Sequence, residues 1–275
     1  MGDETGIRAE IHTHSTASDG EFEPAEVARM CAEAGVEVWA LTDHDNCQGI
    51  ADAKRAADEL GLDFIPGIEL SAYEDKSVHV LGYGVDPESE AMTSLGDRMI
   101  EAREERMGEI AAKLRDLGVE VHIDQVRDRA GEQGALARPH MARTLRDLGH
   151  VETVQEAFDR YIEDGGPAYV PVTWPSIPEA IRLIRKAGGV PVLAHPGRYD
   201  LDDRIPEWVE AGIEGIEIAH PSHDQTDERH YRAVAEEHGL FTTRSSDFHG
   251  TNHESWEYFG DMFISPDLPG RLTAG

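Results

Sequence analysis

Arg8-Ala9-Glu10-Ile11-His12-Thr13-His14 reads as a strand ending in two histidines, Pro24 to Gly35 as a helix with proline near its first turn, and Val36 to Leu41 as a buried strand. The same alternation continues outward. Gln48 to Gly61 is an alanine-rich helix closed by glycine, Phe64 to Leu70 is a strand, and Val78 to Tyr83 is a short strand. It resumes with a helix at Ile177 to Gly188, a strand at Val190 to Ala194, a helix at Ile205 to Ala211, a strand at Gly215 to Ala219, a helix at Asp227 to Gly239 and a strand at Leu240 to Ser245. Repeated βα units of this kind predict an α/β fold with mostly parallel strands, either a barrel or a doubly wound sheet.

Between these stretches the period changes. From about Glu88 to Tyr169 the chain is charged, poor in strands and helical in pattern, as in Arg98 to Leu117, Ala137 to Leu148 and Thr153 to Ile162. Pro87 stands on one side and Pro167, Pro171, Pro175 and Pro178 on the other. The reading is a helical insertion, residues 87–175, between two parts of one α/β domain, residues 1–86 and 176–275.

The chain has 275 residues, with 55 acidic against 25 basic side chains and a formal net charge of −30. Affinity for duplex nucleic acid comes largely from basic side chains on phosphates, so this surface should repel a long polyanion. No stretch reaches the ~18 consecutive apolar residues of a membrane span, and the start Met1-Gly2-Asp3-Glu4 is acidic where a signal peptide is basic. Two cysteines, Cys31 and Cys47, are too few for a disulfide framework, and neither has a basic neighbour to activate it. The expected setting is the cytoplasm, with no membrane partner.

The chemistry lies in where the histidines fall. His12, His14, His44, His79, His195, His220 and His249 each stand at or just past the carboxyl end of a predicted strand, where the loops of a parallel α/β fold converge. His12 and His14, two apart on an extended chain, share one face and can grip one metal ion. Asp19 lies in the turn Ser18-Asp19-Gly20, Thr42-Asp43-His44-Asp45 closes the second strand, and Glu69 ends the third. A carboxylate in that last position needs a partner or a cation. Asp247-Phe248-His249 repeats the two-residue spacing. Imidazole mixed with carboxylate suits Mn²⁺, Fe²⁺ or Zn²⁺.

Taken together, His12-Thr13-His14-Ser15, Ser18-Asp19-Gly20, Leu41-Thr42-Asp43-His44-Asp45, Gly67-Ile68-Glu69-Leu70-Ser71, His79, Ala194-His195-Pro196 and Ser246-Asp247-Phe248-His249 closely resemble the PHP (polymerase and histidinol phosphatase) family of metal-dependent phosphoesterases. The resemblance implies a distorted (β/α)7 barrel whose carboxyl-end face holds two or three divalent ions, and phosphoester hydrolysis by a metal-bridging hydroxide. It implies His12, His14, Glu69 and Asp247 around a first ion and Asp19, His44 and His249 around a second. His79 and His195, with Glu69 as a bridge, would hold a third. Asp247 is a catalytic candidate as well as a ligand.

Two further motifs point to a branch. Arg138-Pro139-His140-Met141-Ala142 in the helical insertion and Ile218-Ala219-His220-Pro221-Ser222-His223 late in the chain resemble the subgroup acting on nucleoside 3′,5′-bisphosphates and short oligonucleotides. Ala219 departs from the aromatic residue expected there. Arg138 offers a planar fork for phosphate oxygens, His140 a second donor, and Arg198 a further contact. His220 and His223 could bind phosphate or protonate the leaving oxygen. The rival substrates are histidinol phosphate and other small phosphoesters, and the rival role is a non-catalytic nucleotide-binding module. Glu101 to Arg106 reads as a helix face laced with ion pairs.

Overall fold

In a computed structural model, which describes residues 6–74, 76–130, 136–171 and 174–273, the first βα unit is strand β1 (Ile7–Glu10), helix α1 (Pro24–Glu33) and strand β2 (Val38–Leu41), with β1 and β2 parallel. Pro24 opens α1 where its missing N–H leaves nothing unpaired, and Val27, Ala28 and Cys31 form the buried stripe. Helix α2 (Ile50–Leu60) stops at Gly61, whose φ of 75° is the left-handed conformation glycine adopts without a Cβ clash. Strand β3 (Asp63–Glu74) then runs parallel to β2, and β4 (Lys76–Tyr83) pairs antiparallel with β3.

The later units are α7 (Ile177–Lys186), β5 (Val190–Leu193), α8 (Ile205–Ala211), β6 (Gly215–Ala219), α9 (Gln225–His238) and β7 (Phe241–Arg244). A two-residue strand β8 (Phe263–Ile264) and a short helix α10 (Leu268–Leu272) follow. The sheet order is β7-β6-β5-β4-β3-β2-β1-β8, and β8 also touches β7, so the sheet nearly closes into a barrel. Alternate residues Ala9 and Ile11, Val38 and Ala40, Leu81 and Tyr83, and Val190 and Val192 fill one interior cluster, which Leu268 and Leu272 of α10 join. Three pairings, β3 with β4, β4 with β5 and β1 with β8, are antiparallel, fewer than the parallel ones expected but a real departure from an all-parallel barrel.

The helical segment consists of α3 (Glu90–Asp116), α4 (Ile123–Ala130), α5 (Arg138–Asp147) and α6 (Val154–Ala157), the last running into one π-helical turn at Phe158–Ile162. It has its own apolar core, from Met107, Ile110 and Leu114 to Met141, Leu145, Ile162 and Val170. Met92, Leu95 and Met99, in the first half of α3, pack instead with Ile68, Leu70 and Ile181 of the barrel. The division read at residue 87 therefore cuts α3 away from the barrel too early, and the change of core comes near Met107. Among the described residues no helix is long and apolar enough to cross a membrane.

Candidate metal centre and phosphate cleft

Strand β1 ends at Glu10, short of the strand expected to His14, and His12 and His14 stand on the extended turn that follows, pinned where Thr13 bridges Phe248. A second bridge sets His44 beside Glu69. Asp43, one residue before His44, is consumed locally: its carboxylate accepts from the Ser15 N–H and from the Ser15 and Ser18 hydroxyls, each at 2.7 Å. His195 (φ 25°) and Asp247 (φ 52°) hold left-handed backbone conformations that non-glycine residues rarely adopt, as does Asp45 (φ 57°). Strain of this kind persists where surrounding structure dictates it, here at three positions within or beside the same cluster.

Glu69 is the hub. Its Oε2 lies 3.3 Å from His12 Nε2, 3.3 Å from His14 Nε2 and 3.2 Å from His44 Nδ1, and its Oε1 lies 2.9 Å from His79 Nδ1 and 3.0 Å from His195 Nε2. Asp247 is the second hub, with Oδ1 3.1 Å from both His12 Nε2 and His14 Nε2 and Oδ2 3.1 Å from His220 Nε2. Asp19 Oδ1 lies 3.4 Å from His249 Nε2 and 3.8 Å from His14 Nδ1.

The electrostatics follow from packing three carboxylates and six or more imidazoles out of water. Burial opposes charge on Glu69, Asp19 and Asp247, yet the neighbouring imidazoles outweigh it and hold all three carboxyls well below their usual range. Burial likewise opposes charge on His14, but its bonds to Asp247 and Glu69 push it up to about 10. His44 goes the other way, to about 4, because burial dominates there.

Four buried ring nitrogens, His12 Nε2, His14 Nδ1, His44 Nδ1 and His79 Nδ1, make no hydrogen bond although carboxylate oxygens stand around them. Imidazole nitrogens and carboxylate oxygens converging on shared points are the arrangement of ligands around cations, and a bound cation would take the place of the protons that otherwise hold such pairs together. Ligand atoms gather into sets that could each hold an ion: His12, His14, Glu69 and Asp247; His14, Asp19, His44 and His249; His44, Glu69 and His79; His195, His220 and Asp247. The donors present therefore fit divalent metal, and their nitrogen and oxygen mix fits Mn²⁺, Fe²⁺ or Zn²⁺.

Three expectations are corrected. His220 borders the cleft, but its Nε2 is engaged with Asp247 and its Nδ1 with Ser222, which moves it from a substrate contact to the ligand cluster. His223 is not in the cleft wall. Its Nε2 accepts the Gly197 N–H at 3.1 Å and its Nδ1 donates to the Ile218 carbonyl at 3.1 Å, so both nitrogens tie loops together and neither is left for phosphate or a leaving group. His79 and His195 do share Glu69, but His195 groups with His220 and Asp247.

Arg138, His140 and Arg198 all border one cleft of about 1140 Å³ that also contains Glu69, His44, Asp247 and His249. Arg138 is held by Asp164 at 2.5 Å and by the Ile162 carbonyl at 3.2 Å. His140 is buried, and its Nδ1 accepts the Ala137 N–H at 3.1 Å, which leaves the proton on Nε2. Burial pushes its pKa down to about 4, with Arg143, Arg103 and Arg129 adding to the shift.

Reading the chain by motif missed several residues. Glu217 on β6 is fully buried and accepts from His12 Nδ1 at 3.2 Å and from the His195 N–H at 2.9 Å. Its signal was present: Gly215-Ile216-Glu217-Ile218 repeats the pattern of Gly67-Ile68-Glu69-Leu70. The Tyr199 hydroxyl accepts the His79 N–H at 2.9 Å and lies 2.7 Å from His195 Nδ1. Arg103 and Arg106, read from the sequence as part of a helix face laced with ion pairs, are buried and line the cleft. Their spacing from Met99, Met107 and Ile110 places them on the apolar stripe of α3.

A profile of the PHP domain matches residues 10–163. A 3′,5′-nucleoside bisphosphate phosphatase of Chromobacterium violaceum is 36% identical over 94% of this chain and 92% of its own. A 5′-3′ exoribonuclease of Haemophilus influenzae is 35% identical over 87% of this chain and 89% of its own. Among solved structures, a protein of Bifidobacterium adolescentis assigned provisionally as a metal-dependent phosphoesterase superposes with a TM-score of 0.88 at 29% identity, over 96% of this chain and 94% of its own.

Proposed function

The chain belongs to the PHP family and is a phosphoric ester hydrolase, and from that premise we propose that it removes the 3′-phosphate of nucleoside 3′,5′-bisphosphates and hydrolyses short oligonucleotides. Two or three divalent ions would be held by His12, His14, Asp19, His44, Glu69, His79, His195, Asp247 and His249, with His220 completing the set. When bound, they supply Lewis-acid charge to phosphoryl oxygens and lower the pKa of water toward neutrality. Glu217 keeps the His12 proton on Nδ1, so Nε2 presents its lone pair inward. His140, neutral across the working range, donates from Nε2, and Arg138 and Arg198 contribute charge for phosphate oxygens.

The observation that carries this reading is the composition of the cleft. In a chain with net charge −30, Arg106, Arg138 and Arg143 of the helical segment share one cavity with the Glu69 cluster. At about 1140 Å³ it exceeds the roughly 300–1000 Å³ of most small-molecule pockets, leaving space for more than one nucleotide. An arginine-lined wall favours a substrate with a second anion and disfavours histidinol phosphate, whose amine is cationic.

The test is phosphate release by Mn²⁺-loaded protein from adenosine 3′,5′-bisphosphate, adenosine 3′-monophosphate, a 5′-phosphorylated trinucleotide, a cyclic phosphodiester and histidinol phosphate. The highest kcat/KM should fall on the bisphosphate or the trinucleotide. A higher value on histidinol phosphate would replace this reading with the amino-alcohol one, and no turnover of any substrate would favour a binding module.

A further inference from the structure

We propose that the metal centre fills in a fixed order and that the place between His195, His220 and Asp247 loads last, because hydrogen bonds from Tyr199 and Ser222 keep protons on the two imidazole nitrogens an ion there would need. This order rests on the metal-centre reading above and holds whichever phosphoester is the substrate. After His195 a 3₁₀ turn over Pro196–Arg198, closed by the Tyr199 N–H on the Pro196 carbonyl at 3.0 Å, folds Tyr199 back beside the His195 ring. Tyr199 is buried, and Lys76 Nζ donates to its carbonyl at 2.7 Å, so the residue is fixed at its backbone as well as at its hydroxyl.

A phenol oxygen has one proton to give. The His79 N–H can only donate, so at 2.9 Å it takes a lone pair of the Tyr199 oxygen, and the hydroxyl proton is left for His195 Nδ1 at 2.7 Å, a separation usual for an O–H donor. With Nδ1 accepting, the His195 ring proton sits on Nε2, which faces Glu69 Oε1 at 3.0 Å. His220 is set the same way. The Ser222 N–H donates to its Nδ1 at 3.0 Å, so its proton sits on Nε2, directed at Asp247 Oδ2 at 3.1 Å. His12 and His249 are set oppositely: their Nδ1 atoms face Glu217 Oε1 at 3.2 Å and the Asp247 carbonyl at 2.8 Å, a carboxylate and a carbonyl that accept, so Nδ1 keeps the proton and Nε2 offers its lone pair. An ion reaching His12 or His249 meets nitrogens already turned to it. An ion between His195, His220 and Asp247 requires each ring to shift its proton from Nε2 to Nδ1, against the Tyr199 O–H and the Ser222 N–H.

The experiment reads ring protons directly. Full-length protein labelled with ¹⁵N-histidine and stripped of metal is followed by long-range ¹H–¹⁵N spectra during stepwise addition of Zn²⁺, with signals assigned through His12→Gln, His195→Gln, His220→Gln and His249→Gln. Before Zn²⁺ is added, His195 and His220 should carry the proton on Nε2, and His12 and His249 on Nδ1. Zn²⁺ should then move the His12 and His249 signals first, and those of His195 and His220 only at roughly tenfold higher free Zn²⁺. Tyr199→Phe, which keeps the ring and removes the hydroxyl, should bring the His195 change forward by about tenfold and leave the His12 change where it was. A hydroxyl that only braced the loop would act in the other direction, so a later or unmoved His195 change in that variant overturns the proposal. If the variant fails to fold, the wild-type spectra decide: an Nδ1 proton on His195 in the stripped protein, or His195 and His12 responding together, overturns the order. No uptake of Zn²⁺ overturns it together with the metal centre. Uptake in the stated order without phosphate release by the Mn²⁺-loaded protein from any substrate sinks the phosphoesterase reading and leaves the order standing.

Discussion

The guanidinium of Arg103 reaches from the middle of α3 to Asp45, donating to Oδ2 through Nε at 3.0 Å and again through Nη2, with both side chains buried. Asp45 follows His44 in the chain, and its carboxylate also accepts the Ser71 N–H at 2.6 Å and the Ser71 hydroxyl at 2.9 Å. Ser71 in turn follows Glu69 by two residues on β3. One ion pair thus fastens the helical segment to the two loop and strand ends that carry His44 and Glu69, and Trp174 packs against the guanidinium at 5.1 Å.

Arg103→Met should destabilise the protein by roughly 3–5 kcal/mol, because it strands the Asp45 carboxylate out of water. Asp45→Asn combined with Arg103→Met should recover part of that loss, since no charge is left unpaired. Denaturant melts of wild type, Arg103→Met and the double variant check this. Equal stability of Arg103→Met and wild type would show that the pair holds nothing together.

Glu217→Gln should lower metal affinity about 10- to 100-fold, the usual effect of removing a carboxylate behind a ligating imidazole. His12 would face a neutral amide in place of a charged carboxylate, which holds the proton on Nδ1 less firmly and makes Nε2 a weaker donor to the centre. Titration of stripped protein with Mn²⁺ reads this without reference to turnover.

Removal of the ions should abolish hydrolysis and lower Tm, since at least five separate strand ends contribute donors that would face one another without a cation. Asp247→Ala should do the same to activity, because Asp247 joins two of the donor sets. Full phosphate release in excess chelator would exclude the metal-dependent route.

How far the centre was legible depended on how local its signals were. His12, His14, Asp19, His44, Glu69, His79, His195, Asp247 and His249 follow apolar strands or turns, so each carried its own marker of place, and the structure brings all nine together. Arg103 and Arg106 did not. Charges three apart on a helix look the same whether solvent or protein covers them, and what buries these two are Asp45 and the Val170 carbonyl, 58 and 64 residues away in sequence. His223 misled for the opposite reason, since a histidine at a strand end looks available until its nitrogens are seen bonded to Gly197 and Ile218.

His140 gives a stability dependence on pH whose sign is set by burial. Its folded pKa of about 4 lies below the ordinary 6.5, so between those values the unfolded chain binds a proton that the folded chain refuses. Stability is then lost as pH falls from about 6.5 to about 4, by roughly 3 kcal/mol from this group. His140→Asn should flatten that part of the curve. An NMR titration placing the His140 pKa near 6.5 would remove both the slope and the case for a permanently neutral donor.

Charge should decide substrate length. The surface as a whole carries a net −30, while the cleft concentrates arginine, so a short strand that fits inside the cleft meets positive charge and the rest of a long duplex meets repulsion. If two or three phosphates of a trinucleotide are neutralised there, the logarithm of its affinity should fall with the logarithm of salt at a slope of about −1.4 to −2.1, following roughly −0.7 per phosphate for single strands. The 3′-monophosphate, with no second anion to place on the helical wall, should show a shallower slope. A duplex of thirty base pairs should give no gel shift at moderate salt. Parallel salt slopes for the trinucleotide and the monophosphate would mean that the arginines of the helical segment take no part in binding, and a tight duplex complex would mean that the surface charge does not set the limit.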